Sequence, residues 1–390
     1  MRLLVIAEKY PPIVGGGETQ LAQLATGLVK LGYDVTVATD RTGVDVEPDA
    51  GGVRVVHVPG LRRACQGLDC REAVENVYRL LATVPHDAVH VVNYVPALLL
   101  VWLRSAVRAP IFVSLFETVI PDARVFGLFE GNFPLEDTLR RSVSSLLAPR
   151  IVFCGSEVCH QWALDAGFEP RTLRLVAHAT EIERFTFSAA ARDRYRGERR
   201  WTRDEFVFLV PARPVPRKRI EDVLAAAAEL RRRGRRIRVA VTAPAGRGDP
   251  AYLERLRRQI ARDGIEAAVS WEPDLAWTDM PALYSACDAV VLPSSHEGFG
   301  VCLIEAMAAA RPVVVADIPG PNGFVSHGLT GYLYPPGDIG QLVQRMVLTM
   351  DSDTRPTAER ALRLVEERYA AAPMLRCYAD LFEEHCRVVS

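Results

Sequence analysis

The sequence predicts an α/β protein built from two doubly wound domains, and three observations predict it. Short apolar runs rich in β-branched residues alternate with longer helix-forming stretches along most of the chain. That is the pattern of parallel strands covered on both faces by crossover helices. The alternation stops at a polar, arginine-rich interval, 188–204, and then begins again. A chain of 390 residues is also long enough for two domains that each bury a full core.

The first set of strands falls at 3–7, 35–39, 88–92, 111–115 and 151–154. Between them, 19–31 and 71–83 carry helix formers. Gly32 stops the first helix, because a residue without Cβ readily takes the left-handed conformation that closes a helix. The second set falls at 206–210, 238–242, 268–271, 289–292 and 313–315. Two Rossmann-like domains follow, 1–185 and 186–370, with the boundary zone inside 178–204. In the remaining segment, 371–390, Leu375, Tyr378, Leu381 and Phe382 stand at helical spacing and predict an amphipathic helix.

Composition excludes several classes of function. Apolar residues make up 49% and charged residues 24% of a chain with net charge −1. That balance is ordinary for a globular protein and gives no global attraction to nucleic acid or an anionic membrane. The cluster Arg231, Arg232, Arg233, Arg235 and Arg236 ends a helical run, where cations complement the helix dipole. Eight cysteines form no CxxC pair and have no histidines at metal-ligand spacing, so they read as reduced, packed thiols. The first apolar run is too short for a signal peptide. The longest, 95–103, meets Arg104 and is too short to span a bilayer. The expectation is a cytoplasmic protein.

Residues 293–315, PSSHEGFGVCLIEAMAAARPVVV, carry the densest chemistry. Pro293, Ser294, Ser295, His296 and Glu297 form a turn-prone run that ends in Gly298 and Gly300. A helix is expected over 301–310. A glycine-flanked helix start offers unpaired N–H groups and partial positive charge, which suit a phosphate. Glu305, about 7 Å further along the axis at ~1.5 Å per residue, can accept hydrogen bonds from the hydroxyls of a ribose or sugar. Donors for a diphosphate and acceptors for sugar hydroxyls at one helix end make a nucleotide-sugar site. Two solvated glutamates are the bland alternative, since charged residues are mostly exposed.

Two other segments offer contacts to anions. Gly15, Gly16 and Gly17 lie between the first strand and a helix expected to begin near Glu18, where backbone can approach a ligand closely. A tight strand–helix connection would look the same. Arg213 and Lys218 flank a proline-rich turn, and two cations there can neutralise a departing phosphate. Arg217 and Arg219 share that stretch, so the residues alone leave the choice of pair open.

Residues 282–320, ALYSACDAVVLPSSHEGFGVCLIEAMAAARPVVVADIPG, resemble the E-x7-E signature of retaining glycosyltransferase family 4. The resemblance implies the GT-B fold, two Rossmann-like domains facing across a cleft, with the last helix returning to the first domain. It implies that Glu297 holds sugar hydroxyls beside the reacting carbon and that Glu305 holds the ribose. It also puts Gly298, Phe299, Gly300 and Val301 at the donor. The segment around Pro11, Pro12 and Glu18 is similar to the family's PPxxGGxE element, which brings Gly15 and Gly16 to the donor phosphates; Gly17 fills a position the family leaves open. PARPVPRKR resembles GRLxxxKG, with Arg213 and Lys218 in register.

Several positions depart from the family pattern. Ala212, Arg219 and Ala310 stand where it has glycine, and Gly323 where glutamate is frequent. In 176–185, His178 and Ala179 replace an Asn-Gly pair and Glu181 an aspartate. His178 reads as a packed or solvent-exposed histidine rather than a catalytic one, since a catalytic histidine needs partners. Phe116 stands where many relatives carry a histidine directed at the donor sugar. Either the donor has a less polar distal carbon, as in a deoxysugar, or the register is off by one residue. Glu117 is a candidate hydrogen-bond partner for the acceptor.

The expected activity is transfer of a sugar, with retention, from a nucleoside-diphosphate sugar to a small-molecule acceptor. Uridine is the first expectation for the base and guanosine the second. Glu297, Arg213 and Lys218 are the expected catalytic residues, with Phe116 and Glu117 toward the acceptor. No metal and no cofactor beyond the donor substrate are expected: no DxD element ends an early strand, and Asp351 and Asp353 read as solvating a helix start. The alternatives are a sugar-nucleotide epimerase of the same architecture and a non-catalytic sugar-nucleotide-binding subunit. A lipid-linked acceptor is second to a soluble one. The stretch 116–141 mixes Phe126, Phe129 and Phe133 with few basic residues before Arg140 and Arg141, too few for membrane association. No nucleic-acid partner is expected, and the oligomeric state stays open.

Overall fold

Parallel strands with their apolar faces covered by helices make up both halves of the chain, as the alternating pattern predicts. The fold is that of a computed structural model, which describes residues 1–11, 15–40, 50–65, 70–116, 141–243, 248–272, 275 and 277–387. Contacts divide the chain into two units, Met1–His178 with Ala371–Ser390, and Ala179–Ala370.

In the first unit the strands are β1 (Arg2–Ile6), β2 (Asp34–Thr39), β3 (Arg54–His57), β4 (Ala88–Val92), β5 (Ile111–Leu115), β6 (Ile151–Cys154) and β7 (Leu173–Leu175). They pair in the order β3-β2-β1-β4-β5-β6-β7, all parallel. The second unit contains β8 (Phe206–Val210), β9 (Ile237–Thr242), β10 (Val269–Glu272), β11 (Ala289–Leu292), β12 (Val313–Ala316) and β13 (Tyr332–Tyr334). Their order is β10-β9-β8-β11-β12-β13, again parallel. In each sheet the winding direction reverses beside the first strand, between β1 and β4 and between β8 and β11. Such a reversal leaves a crevice at the carboxyl ends of the strands.

The central strands β4, β5, β6, β11 and β12 are buried throughout, which is why their sequences are unbroken apolar runs. The three strands without a sequence signal, β3, β7 and β13, are all edges. Their short sequences RVVH, LRL and YLY are partly polar or only three residues long.

The helix Gly16–Lys30 starts earlier than Glu18, with Gly15 as its N-cap. Gly16 and Gly17 therefore belong to the first helical turn rather than to the preceding loop. The apolar run at 95–103 lies mostly in the helix Tyr94–Trp102, which contributes Ala97, Leu99 and Leu100 to the core. Among the described residues no helix is long and apolar enough to cross a membrane. Four of the five clustered arginines are in ion pairs: Arg232 and Arg233 with Glu229, Arg235 with Asp351, and Arg236 with Asp204. Asp353 accepts a hydrogen bond from the Arg355 amide at 3.1 Å, ahead of the helix Arg355–Arg368.

The division between units falls at 178/179, ahead of the expected 185/186, because the short helix Ile182–Phe185 packs on Met280–Ala286 and Val301–Ala308 of the second unit. Helix Ala371–Arg387 belongs to the first unit. There Tyr33 donates a hydrogen bond to the Ala379 carbonyl at 3.1 Å, and Phe382 meets Phe112 edge-on at 4.8 Å.

Candidate functional site

In the second unit the loops that leave β8 and β11 lie side by side at the sheet's reversal point. They are fastened to each other by hydrogen bonds to backbone carbonyls. The Ser295 amide donates to the Arg217 carbonyl at 2.8 Å, and Arg217 Nη1 donates to the His296 carbonyl at 3.2 Å. This register brings a short 3-10 turn, Pro216–Lys218, against Glu297. Lys218 Nζ donates to Glu297 Oε1 at 2.5 Å, and Arg217 Nη1 lies 3.6 Å from Oε2. The two side chains of the closer pair are only 12% and 9% exposed. Burial pushes the Glu297 carboxyl up, but the charges of Lys218 and Arg217 and the bond from Lys218 outweigh it, so it titrates below the ordinary carboxylate range. Glu297 is thus a fixed, ionised carboxylate.

The loop after β12 closes on the same turn. Gly320 has φ 98°, and a Cβ there would lie 2.7 Å from the Glu297 carbonyl oxygen and 3.1 Å from that of Gly298. Only glycine fits both the backbone conformation and the approach. Phe299 anchors the turn by stacking on Phe324 at 4.8 Å and meeting Tyr369 at 5.5 Å. Gly300, at φ 95°, then turns the chain into helix Val301–Ala308. The Leu303 amide donates to the Gly300 carbonyl at 2.9 Å, and the amides of Val301 and Cys302 ahead of it have no acceptor inside the helix.

Glu305 sits one to two turns into this helix and is 7% exposed. Tyr284 donates to its Oε2 at 2.8 Å. Burial raises its pKa to about 7, against the opposing pull of the Tyr284 hydrogen bond and the Arg184 charge. The two glutamates of the sequence motif are therefore both buried, and their proton affinities are pushed in opposite directions.

Of the two cations expected from sequence, Lys218 reaches Glu297. Arg213 is half-buried and makes no ion pair or side-chain hydrogen bond with the described residues. Arg217, not singled out from the sequence, takes the second place beside Glu297. Its neighbour Lys218 was the available signal, but the direction of a 3-10 turn is not written in side-chain periodicity.

Two of the family glycines replaced here occupy left-handed backbone. Arg219 has φ 45° and Ala310 has φ 51°. Arg219 is held by two hydrogen bonds to Asp222, at 2.8 and 3.0 Å. At Gly323 there is open space where a side chain would project.

In the first unit, Glu18 folds back over Gly15. A Cβ on Gly15 would lie 2.3 Å from Glu18 Oε2, and the Thr19 amide donates to the Gly15 carbonyl at 2.9 Å. Phe116 is 6% exposed at the end of β5. Its amide donates to Asn93 Oδ1 at 3.0 Å, and His178 Nε2 donates to its carbonyl at 3.2 Å. The His178 ring also meets the Phe116 ring edge-on at 5.1 Å, and His178 is 4% exposed. It is a packed histidine. Asn93, with φ 66°, was not found from sequence, since a lone asparagine after a strand carries no motif. Glu117, Phe126, Phe129, Phe133 and Arg140 lie outside the described residues.

Comparison with known proteins gives this geometry a family. Residues 15–192 match the family model described as a glycosyl transferase 4-like domain, and residues 191–367 match glycosyl transferases group 1. The chain is 26% identical over 367 residues to an uncharacterized glycosyltransferase of Methanocaldococcus jannaschii, covering 89% of each. It is 26% identical over 360 residues to D-inositol 3-phosphate glycosyltransferase 1 of Catenulispora acidiphila, covering 89% of this chain and 85% of that protein. The fold is shared with the Anabaena protein HepE, solved in complex with UDP-glucose. The TM-score is 0.80 at 20% identity, over 98% of this chain and 100% of the other. With the two family models together running from residue 15 to residue 367, the chain belongs to the family 4 type of glycosyltransferases of GT-B fold.

Proposed function

We propose that the protein transfers a sugar from a nucleoside-diphosphate sugar, uridine diphosphate first among them, to a small-molecule acceptor, with retention at the anomeric carbon. The observation that carries the reading is the buried Glu297–Lys218 pair beside a glycine-started helix, with Glu305 one to two turns behind it. Glu305 accepts the two ribose hydroxyls, the first amides of helix Val301–Ala308 face the diphosphate, and Glu297 holds sugar hydroxyls. Gly15 and Gly16, the N-cap and first residue of helix Gly16–Lys30, are the first unit's candidate contacts for the donor phosphates. The UDP-glucose held by HepE and the inositol phosphate named for the Catenulispora relative support a nucleotide-sugar donor and a small polar acceptor.

In the reaction the acceptor oxygen forms a bond to the anomeric carbon on the face from which the diphosphate leaves. The carbon–oxygen bond to the β-phosphate breaks with its electron pair going to the diphosphate. The acceptor's proton passes to a departing phosphate oxygen. Charge therefore grows on the leaving group and on an oxocarbenium-like carbon, and preorganised groups that meet that charge lower the barrier. Lys218, shared between Glu297 and the phosphate, and Arg213, which has no ion pair among the described residues, meet the first. Ionised Glu297 meets the second. Phe116 and Glu117, the latter outside the described residues, are the candidate acceptor residues, and no metal is needed for charge neutralisation.

Incubation with a panel of nucleotide sugars and candidate acceptors tests the reading. Nucleotide release with a new glycoside supports it; an epimerised donor, or binding without turnover, overturns it. Glu297→Ala is expected to lower kcat about 10²–10³-fold with nucleoside diphosphate affinity nearly unchanged. Glu305→Ala is expected to weaken nucleotide binding by about 1.5–3 kcal/mol. The reverse pattern would exchange the roles of the two glutamates.

A further inference from the structure

Tyr284 lies at the back of the glutamate site and has no part in the reaction proposed above. We propose that Tyr284 is the positioning residue for Glu305: by binding one carboxylate oxygen from behind, it leaves the other oxygen aimed and ionised for a pair of vicinal hydroxyls on the nucleotide. The proposal rests on the reading of Glu305 as the ribose ligand.

The tyrosine is fully buried, and its ring is set by edge-on packing against Phe185 at 5.7 Å. Its hydroxyl has one proton and two acceptors within reach, Glu305 Oε2 at 2.8 Å and the Cys302 carbonyl at 3.1 Å. When Glu305 is ionised, the proton points to Oε2. When Glu305 is protonated, the hydroxyl can accept from it and turn its own proton to the Cys302 carbonyl. The direction of this one hydroxyl therefore follows the charge state of Glu305.

Among the other surroundings of Glu305, the charge that bears on it is that of Arg184. Helix Met280–Ala286 brings no titratable group besides Tyr284. Helix Ile182–Phe185 brings Glu183 and Arg184, and Glu181 beside it pairs with Arg184 at 3.8 Å. The helix of Glu305 itself brings the Cys302 thiol, which burial pushes up to about 12. The faces that β11, β12 and helix Arg355–Arg368 bury carry Thr357, Ala358, Ala361, Val365 and apolar strand residues, none of them titratable. Burial holds the carboxyl up near pH 7, and the tyrosine and the Arg184 charge both work against it. A ribose that needs the ionised form must displace the proton at neutral pH.

Calorimetric titration of UDP and GDP into wild type, Tyr284→Phe and Glu305→Gln, from pH 5.5 to 8.5, tests this. Wild-type affinity for the nucleotide that binds is expected to rise about tenfold over one pH unit on the acid side of the transition. The binding heat should depend on the buffer, as proton release requires. Tyr284→Phe keeps the ring and its packing. It is expected to move the transition to higher pH, to weaken binding about three- to tenfold at pH 7, and to raise donor KM with kcat held. The difference should shrink at pH 8.5. It should also reduce the preference for UDP over 2′-deoxy-UDP. If Glu305→Gln binds nucleotide as tightly as wild type, the ribose assignment itself fails. If Glu305→Gln is weakened and insensitive to pH while Tyr284→Phe follows the wild-type curve, that assignment stands and the positioning role of Tyr284 is overturned.

Discussion

Glu297 and Glu305 show how eight positions of sequence separate two electrostatic environments. Both carboxyls are buried, and burial alone would raise both. Glu297 faces the cations of the Pro216–Lys218 turn and is pulled down. Glu305 faces one hydroxyl and a more distant arginine, and stays up at about 7. The folded value of Glu305 lies above its ordinary one, so its contribution to stability is fully present below about pH 4.5 and is lost as pH rises through about 7. On the order of 3 kcal/mol is at stake for a shift of this size. Without nucleotide, the stability of wild type relative to Glu305→Gln should therefore fall between pH 5 and 8, as read from denaturant unfolding at each pH. A difference that stays flat over this range would place Glu305 in water.

At the scale of elements, the site is made by helix starts and stops. Gly300 and Gly320 are glycines for stated reasons, a left-handed turn into a helix and an approach to the Glu297 carbonyl. Ala310 meets the same demand without the right residue. It follows the helix Val301–Ala308 at φ 51°, with its amide bonded to the Met307 carbonyl and the Arg311 amide to that of Ala306, a left-handed helix stop. A Cβ there costs about 1–2 kcal/mol, partly offset by its restriction of the unfolded chain, worth about 0.4–1 kcal/mol. Ala310→Gly should stabilise the protein by about 0.5–1 kcal/mol in chemical denaturation, with no change in turnover. Arg219 is in the same conformation, but its bonds to Asp222 compensate, so glycine brings no comparable gain there.

At the scale of the whole molecule, the chain's last helix completes its first unit. Phe382 is fully buried against Phe112 and Phe153, and Tyr378 stacks on Phe153 at 4.0 Å. The Tyr378 hydroxyl lies 3.1 Å from Ser114 Oγ, which lies 2.7 Å from His90 Nε2. Burial lowers His90 to about 3, so it is neutral in the fold. Its contribution is present above about pH 6.5 and is lost as pH falls toward 3. Phe382→Ala should cost about 3–5 kcal/mol, seen as earlier urea unfolding of the first unit. An unchanged midpoint would mean that the helix docks without contributing to stability.

Strand runs buried on both faces are legible because burial there demands an unbroken apolar sequence, and β8, β11 and the helix start at Val301 were read to the residue. The edge strands β3, β7 and β13 were not, since the half-exposed β3 and β7 tolerate Arg54, His57 and Arg174 and β13 is only three residues long. The sequence by itself determined the fold class and placed Glu297 and Glu305 on either side of a glycine-flanked helix start, because strand and helix periods and such a helix start are local properties. It left several cations open and showed the last helix only as amphipathic. Tertiary structure decided that Arg217 accompanies Lys218 at Glu297, that Tyr284 backs Glu305, and that residues 371–387 close on the first sheet. Each of these is a contact between segments far apart in the chain, set by which loops the sheet order brings together, and no local pattern encodes it.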